Sequence, residues 1–320
     1  MTRWRLGPLW WTYYNPSWRP ALDILNNFVQ PFVERALSLD AQQKTSGNFV
    51  EDLSEFTCDP KDLRDQLVNI LLAGRDTTAA TLSFLFYELS YHPEVYARLR
   101  SEVLRTLQAD GQLTYANLKG MKYLQHCINE TLRLYPIVPL NGRTALVDTT
   151  LPHGGGKDGQ EVRPLQHTLI RKSIFVPKGT LCLYSPLILQ RREDLFGPTV
   201  NEFDPDRWES WTPAPWTYIP FNGGPRICLG QNFALTEVAF TVARVCERFE
   251  RVEERSGKAR GSQGYCEDII LSPLEGVKVG FIRASENCQG PLNLYLILQI
   301  ITGCITPCRT PLVASIMAVY

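Results

Sequence analysis

Phe221-Asn222-Gly223-Gly224-Pro225-Arg226-Ile227-Cys228-Leu229-Gly230 is the stretch on which the reading of this chain turns. One cysteine stands in a loop bent by glycine and proline, two residues after an arginine, and a helix-like run from Gln231 to Glu250 begins directly behind it. Glycine lets a backbone take left-handed dihedrals and come close to a flat partner. The partial positive charge at the start of the following helix favours a thiolate over a thiol. The guanidinium of Arg226 matches a carboxylate in a bidentate fork. Such a loop can hold sulfur against a cation and arginine against an acid. A metalloporphyrin supplies both, a metal ion for Cys228 and propionates for Arg226. The competing use of the residue, as the nucleophile of a hydrolase, fits poorly: no histidine is placed by motif beside Cys228, and Arg226 has no task there.

The pattern F-x-x-G-x-R-x-C-x-G resembles the haem-binding loop of the cytochrome P450 family, with Phe221, Gly224, Arg226, Cys228 and Gly230 at its fixed positions. The resemblance implies haem b, its iron ligated axially by Cys228, with Phe221, Gly224, Arg226 and Gly230 as the other cofactor-binding positions of the loop. Arg143, in Val138-Pro139-Leu140-Asn141-Gly142-Arg143, resembles the family's second propionate-binding arginine.

A second segment, Ala73-Gly74-Arg75-Asp76-Thr77-Thr78, lies inside a long helical pattern. Glycine costs about 1 kcal/mol relative to alanine there, and threonine hydroxyls can bond back to the preceding turn and bend the helix. A helix that departs from its own rules marks either a packing kink or a functional place. The segment resembles the oxygen-binding groove of the family's central helix. The resemblance implies that Asp76 and Thr77 are catalytic and relay protons, side by side on one face, while Gly74 leaves room for dioxygen.

Glu130-Thr131-Leu132-Arg133 puts an acid and a base three residues apart on one helical face. The helix is otherwise largely apolar (Leu124, Ile128, Leu132, Leu134), so the pair is expected to be buried and to need further hydrogen-bond partners. It resembles the family's E-x-x-R, whose third member is an arginine in a later segment, here Arg207 in Pro205-Asp206-Arg207-Trp208. Glu130, Arg133 and Arg207 are accordingly read as structural, clamping the loop that carries Cys228.

Periodicity predicts an amphipathic helix over Leu22–Leu37, kinked at Pro31, with Leu25, Phe28, Val29, Phe32 and Val33 on one side. Asp59-Pro60 caps and opens a helix from about Lys61 to Ser90. His92-Pro93 ends it and starts another through Gln108. A single helix over Leu118–Leu134 stops at Tyr135-Pro136. Strands and loops follow from Val138 to Pro186, with a turn at Gly154-Gly155-Gly156. A helix over Gln231–Glu250 and a strand over Val277–Ile282 complete the pattern. The fold class is mainly α with small β-sheets (α+β), corresponding by resemblance to the C-terminal portion of the cytochrome P450 fold.

The 320 residues carry 33 Lys+Arg against 33 Asp+Glu, a formal net charge of zero, which gives no reason to expect nucleic acid as a partner. The nine cysteines are scattered with no C-x-x-C pair, and His92, His126, His153 and His167 form no metal-spaced set. A zinc site or a disulfide framework is therefore not expected, and a reducing compartment is. The aromatic N-terminus up to Trp18, broken by Pro8 and Pro16, lacks the apolar core of a signal peptide.

The resemblance covers residues 1–283, read as a partial cytochrome P450 domain. It is closest to the fungal and yeast branch that hydroxylates n-alkanes and fatty acids, on Leu71–Thr78, Tyr123–Pro136, Thr150-Leu151-Pro152 with the triple glycine, and Tyr218-Ile219-Pro220. It implies a monooxygenase inserting one oxygen atom from O2 into a C–H bond of a long-chain aliphatic substrate. Electrons would come from NADPH through a separate NADPH–cytochrome P450 reductase. The small hydrophobic substrate would be met at the cytosolic face of the endoplasmic reticulum membrane. The alternative is a truncated, non-catalytic fragment that cannot hold haem properly. The family's N-terminal anchor, several helices and its W-x-x-x-R propionate motif are expected to be missing here. Glu161–Lys172 is read as an insertion, and residues 284–320 as an apolar tail outside the family pattern, uncharged from Asn287 to Cys308 and borderline in length for a membrane span.

Overall fold

The computed structural model describes residues 18–39, 48–151, 173–267 and 269–283. The N-terminal stretch up to residue 17, the triple-glycine turn, the Glu161–Lys172 insertion and the tail from 284 lie outside the described residues.

Among the described residues six helices come first: α1 (Trp18–Ser38), α2 (Phe49–Leu53), α3 (Pro60–Tyr91), α4 (Pro93–Asp110), α5 (Tyr115–Gly120) and α6 (Lys122–Leu134). Strands β1 (Asn141–Thr144), β2 (Thr149–Leu151), β3 (Ile174–Val176) and β4 (Leu181–Tyr184) follow. Three one-turn helices, α7 (Pro186–Leu189), α8 (Glu193–Phe196) and α9 (Arg207–Ser210), cross to the ten-residue loop. Beyond it run α10 (Gln231–Arg248), β5 (Arg251–Glu254), β6 (Tyr265–Glu267), β7 (Leu271–Pro273) and β8 (Val279–Ile282). The strands pair antiparallel in twos, β1 with β4, β2 with β3, β5 with β8 and β6 with β7, which is the expected helical fold with small sheets.

Local chemistry sets the helix ends. Asp59 Oδ1 accepts the Lys61 N–H at 2.8 Å, and Pro60 occupies the first turn, where its missing N–H costs nothing. The preference of a pre-proline residue for extended dihedrals stops α3 at His92, and Gly111, at φ +71°, closes α4 in the left-handed conformation. α1 continues through Pro31. Its buried line is Val29, Val33 and Ala36, packed with Val50 and Leu63, whereas Phe32, expected on that side, is exposed.

The single helix expected over Leu118–Leu134 is two helices. Thr114 and Asn117 form a reciprocal capping box that starts α5 three residues earlier, and the chain breaks at Met121, whose buried side chain plugs the junction. Glu102 on α4 then accepts the Tyr123 and Leu124 N–H groups at 3.0 and 2.9 Å, satisfying the new N-terminus of α6 from outside the helix.

The main core joins the second half of α3, from Ala80 to Leu89, with α4, α6, α10, β5 and β7. Within it Glu88 is completely buried and accepts hydrogen bonds from Tyr135 and from the guanidinium of Arg260. α3 and α10 lie in direct contact, so the helix bearing Ala73–Thr78 packs on the helix that leaves the Cys228 loop. Replacing Asp59 with alanine removes the cap of α3. Chemical unfolding of that variant is expected to show a loss of about 1 kcal/mol, the usual worth of an N-cap.

Candidate functional site

The loop is closed on itself before anything else touches it. The Cys228 N–H donates to the Phe221 carbonyl at 3.0 Å, and the Ile227 N–H donates to Gly224 at 3.1 Å through one 3-10 turn, Gly224–Arg226. Asn222 and Gly224 take φ +65° and +67°, the left-handed region that asparagine and glycine tolerate best. Phe221 reaches down against the main core. Gly224 to Gly230 stay exposed, so Cys228 is presented at the surface with Ile227, Leu229 and, on the first turn of α10, Phe233.

Asn222 fastens this loop to the first sheet. Its Oδ1 accepts the Tyr184 hydroxyl at 2.7 Å and the Gly223 N–H at 3.0 Å, and its amide reaches Asn141 Oδ1 at 3.5 Å. Asn141 and Tyr184 face each other across β1 and β4, in the same register that pairs Arg143 with Cys182. The strand bearing Arg143 is thereby tied to the loop bearing Arg226 and Cys228. Arg143 is exposed, donates to the Gly142 carbonyl and lies 5.8 Å from the Tyr184 ring. Among the described residues neither Arg143 nor Arg226 has a carboxylate partner.

On the other side, Trp216 stands at φ +69°, a rare conformation for a bulky residue, with its indole over the loop. A Cβ on Gly223 would fall 2.4 Å from the Trp216 ring, so no side chain fits at 223 while the indole stays.

Below the loop lies the clamp. Glu130 and Arg133 both have 0% exposed side chains and join through two parallel bonds of 2.8 Å. Arg133 donates further to the carbonyls of Gln190, Val200 and Glu202. Glu130 also accepts the Asp204 N–H and the Trp208 indole N–H. Arg207 completes the trio at 3.5 Å from Glu130 and donates to the Phe196 and Thr199 carbonyls. Burial raises the hydroxyl pKa of Tyr218, which donates to Asn129. The clamp reaches the loop through a residue that sequence reasoning missed. Gln190, wholly buried, donates to the Leu132 and Arg133 carbonyls and accepts the Ile219 N–H at 2.8 Å, two residues before Phe221. No motif surrounds Gln190. Asn222-Gly223 did carry a turn signal that could have flagged Asn222.

On α3 the pair Asp76 and Thr77 is not joined. Neighbours in a helix point about 100° apart. Asp76 binds Arg75 at 2.6 Å, which raises the Arg75 pKa, and the Thr77 hydroxyl donates to the Ala73 carbonyl at 2.7 Å. Gly74 has nothing within 4 Å of where a Cβ would be.

The donor set therefore consists of one surface thiol, two unpaired guanidiniums on elements tied to the same loop, and apolar side chains around the sulfur. It fits an apolar planar macrocycle with a thiolate-ligated iron and two carboxylates. Two buried cysteines do not compete for that role: burial lifts the Cys246 thiol to about 12 and that of Cys127 well above the usual range.

Two outcomes are expected. Arg133→Met strands the Glu130 charge in the core and should lower stability by roughly 3–5 kcal/mol in urea unfolding. Arg133→Lys should recover little of it, because an ammonium cannot reproduce the paired fork. Alkylation at neutral pH, read by peptide mass spectrometry, should modify the exposed Cys58 and Cys228 at once and Cys127 and Cys246 only after unfolding.

The family model described as Cytochrome P450 matches residues 8–164 and 162–264. Cytochrome P450 monooxygenase pvhE of Talaromyces variabilis is 50% identical over 279 residues, 83% of this chain and 50% of pvhE. Cytochrome P450 52E1 of Candida apicola is 45% identical over 256 residues, 78% of this chain and 47% of that protein. Cytochrome P450 52-E3 of Starmerella bombicola is 44% identical over 255 residues, 77% and 47%. The chain spans about half the length of the curated relatives it matches. The matched residues take in both the Cys228 loop and the clamp that anchors it, and the chain belongs to the cytochrome P450 family.

Proposed function

We propose that this chain is the thiolate-bearing part of a haem-dependent monooxygenase that inserts one oxygen atom from O2 into a C–H bond of a long-chain aliphatic substrate, an n-alkane or fatty acid. The observation that carries the reading is the surface Cys228 in one loop with Arg226 and tied through Asn222 to the strand bearing Arg143, neither arginine paired with a carboxylate among the described residues. The aliphatic substrate rests on the resemblance of Leu71–Thr78 and Tyr123–Pro136 to the fungal hydroxylase branch.

In this reading haem, when bound, supplies the activation of dioxygen and the oxygenation chemistry. Cys228 Sγ would hold the metal as a thiolate and raise its electron density. Arg226 and Arg143 orient the cofactor through its two carboxylates. Ile227, Leu229 and Phe233 are apolar and would help exclude water around the sulfur once the cofactor covers them. On α3, Thr77 Oγ1 would give up its bond to Ala73, and Asp76, after leaving Arg75, would take a proton from solvent at Oδ1 and pass it to the Thr77 hydroxyl. Electrons arrive from NADPH through a separate reductase, and the expected setting is the cytosolic face of the endoplasmic reticulum membrane. Among the described residues no helix is long and apolar enough to cross a membrane.

A second reading has its own observation. Ile227, Leu229 and Phe233 are 53%, 85% and 72% exposed, and a chain in which haem does not cover them would be a non-catalytic fragment that holds it weakly. The purified chain supplied with haem and reduced under carbon monoxide separates the two. A strongly red-shifted Soret band, lost in Cys228→Ser, is expected. No haem uptake, or an unshifted band, would favour the fragment.

A further inference from the structure

The serine and threonine hydroxyls along α3 bond back to the preceding turn, Ser90 to the carbonyl three residues back, with one exception. Thr77, Thr81 and Ser83 each donate to the carbonyl four residues back, at 2.7, 2.9 and 2.9 Å. Thr78 does not bond back to Gly74. It is 6% exposed, and its Oγ1 is buried without a formed hydrogen bond among the described residues. A buried hydroxyl left in that state is costly, so its surroundings need an explanation.

Glu237 supplies one. It sits on α10, the helix that leaves the Cys228 loop, and its half-buried carboxyl is within interaction range of the Thr78 hydroxyl across the α3–α10 contact. Burial raises its pKa and Thr78 lowers it. No charged side chain from α3, α4, α5 or α6, the helices packed on α10, contributes. The Thr78 hydroxyl stands buried and unbonded on α3, Glu237 stands half-buried on α10, and the two helices are in direct contact.

We propose that Glu237 is a positioning residue: by accepting the Thr78 hydroxyl it ties the helix that leaves the Cys228 loop to the turn of α3 that carries Asp76 and Thr77. This assignment rests on the functional reading of that turn, but the tie itself needs no cofactor. A glutamate at this place destabilises the fold as it ionises. Folded Glu237 binds its proton more tightly than unfolded Glu237, so stability falls as pH rises through the interval above the ordinary glutamate pKa. A glutamine would accept the same hydrogen bond without that slope.

The test uses the whole chain and its Thr78→Val, Glu237→Ala, Glu237→Gln and Thr78→Val/Glu237→Ala variants. Amide hydrogen exchange of the peptide spanning 73–81 is the first readout, and the pH profile of thermal unfolding is the second. Exchange is expected to quicken about fivefold in Thr78→Val and in Glu237→Ala, the effect of one lost hydrogen bond. The double variant should exchange no faster than either single one. Glu237→Gln should keep the protection and flatten the pH profile. Additive effects, a Thr78→Val chain better protected than the parent, or a loss of protection in Glu237→Gln would each overturn the tie. None of these readouts involves haem, so failure to bind haem would count against the proposed function and leave this assignment standing.

Discussion

The rest of the site depends on one buried ion pair. Glu130 and Arg133 cannot offset their desolvation alone, and a pair of this kind is weak evidence for stability in itself. What it provides is place. Arg133 has more donors than Glu130 can take, and the surplus holds the carbonyls of Gln190, Val200 and Glu202. Glu130 has more acceptor capacity than Arg133 fills, and the surplus takes Asp204, Trp208 and Arg207. A stretch with only one-turn helices of its own is thus pinned at several points to a rigid helix, because every unmet hydrogen bond at the pair has to be met by that stretch.

The loop inherits this rigidity at one end and gains a second anchor at the other. Gln190 hands the clamp to Ile219, while Asn222 holds Tyr184 and Asn141 on the sheet. Around those anchors the backbone takes three positive φ values, at Trp216, Asn222 and Gly224. Strain of this sort persists only where the surroundings over-determine it. Here it turns the chain so that Cys228 faces outward while Phe221, seven residues earlier, faces the core. A thiol in the interior would be inert, as Cys127 and Cys246 are. Holding one at the surface at a defined position takes a frame, and the frame occupies far more sequence than the ten residues it presents.

That division explains what could be read without coordinates. Helices with strong apolar periodicity and a defined start, such as α3 behind Asp59-Pro60, are local and were legible to within one residue at each end. The Cys228 loop was legible because its spacing is dense with residues of unusual backbone or charge. Gln190 and Trp216 were not, because their roles come from contacts made far along the chain and no local pattern marks them. The break at Met121 was hidden for a related reason: the apolar period runs straight through it, and only the capping box at Thr114 and the external cap from Glu102 make two helices better satisfied than one. The acid and hydroxyl at Asp76 and Thr77 were legible as residue types, but their present partners, Arg75 and Ala73, were not.

α3 shows how one helix can serve both frame and chemistry. Up to Thr77 it exposes Ile70, Leu72 and Ala73, and from Thr78 to Leu89 it is almost continuously buried. The change falls on the turn whose glycine and threonines are poorest for a helix. Immediately upstream, at Ile70, Leu72 and Ala73, no core side chain holds the helix, although Leu63 nearer its start is buried against α1; downstream, the main core holds it whatever its propensity. The turn at the boundary can therefore adjust its hydrogen bonds without unfolding the helix beyond it. A weak segment placed in the buried half would cost stability without freedom to move, and one placed farther out would move without a fixed reference. At the boundary, Thr77 keeps a removable bond to Ala73, while Thr78, the first residue inside, faces the helix that leaves the Cys228 loop.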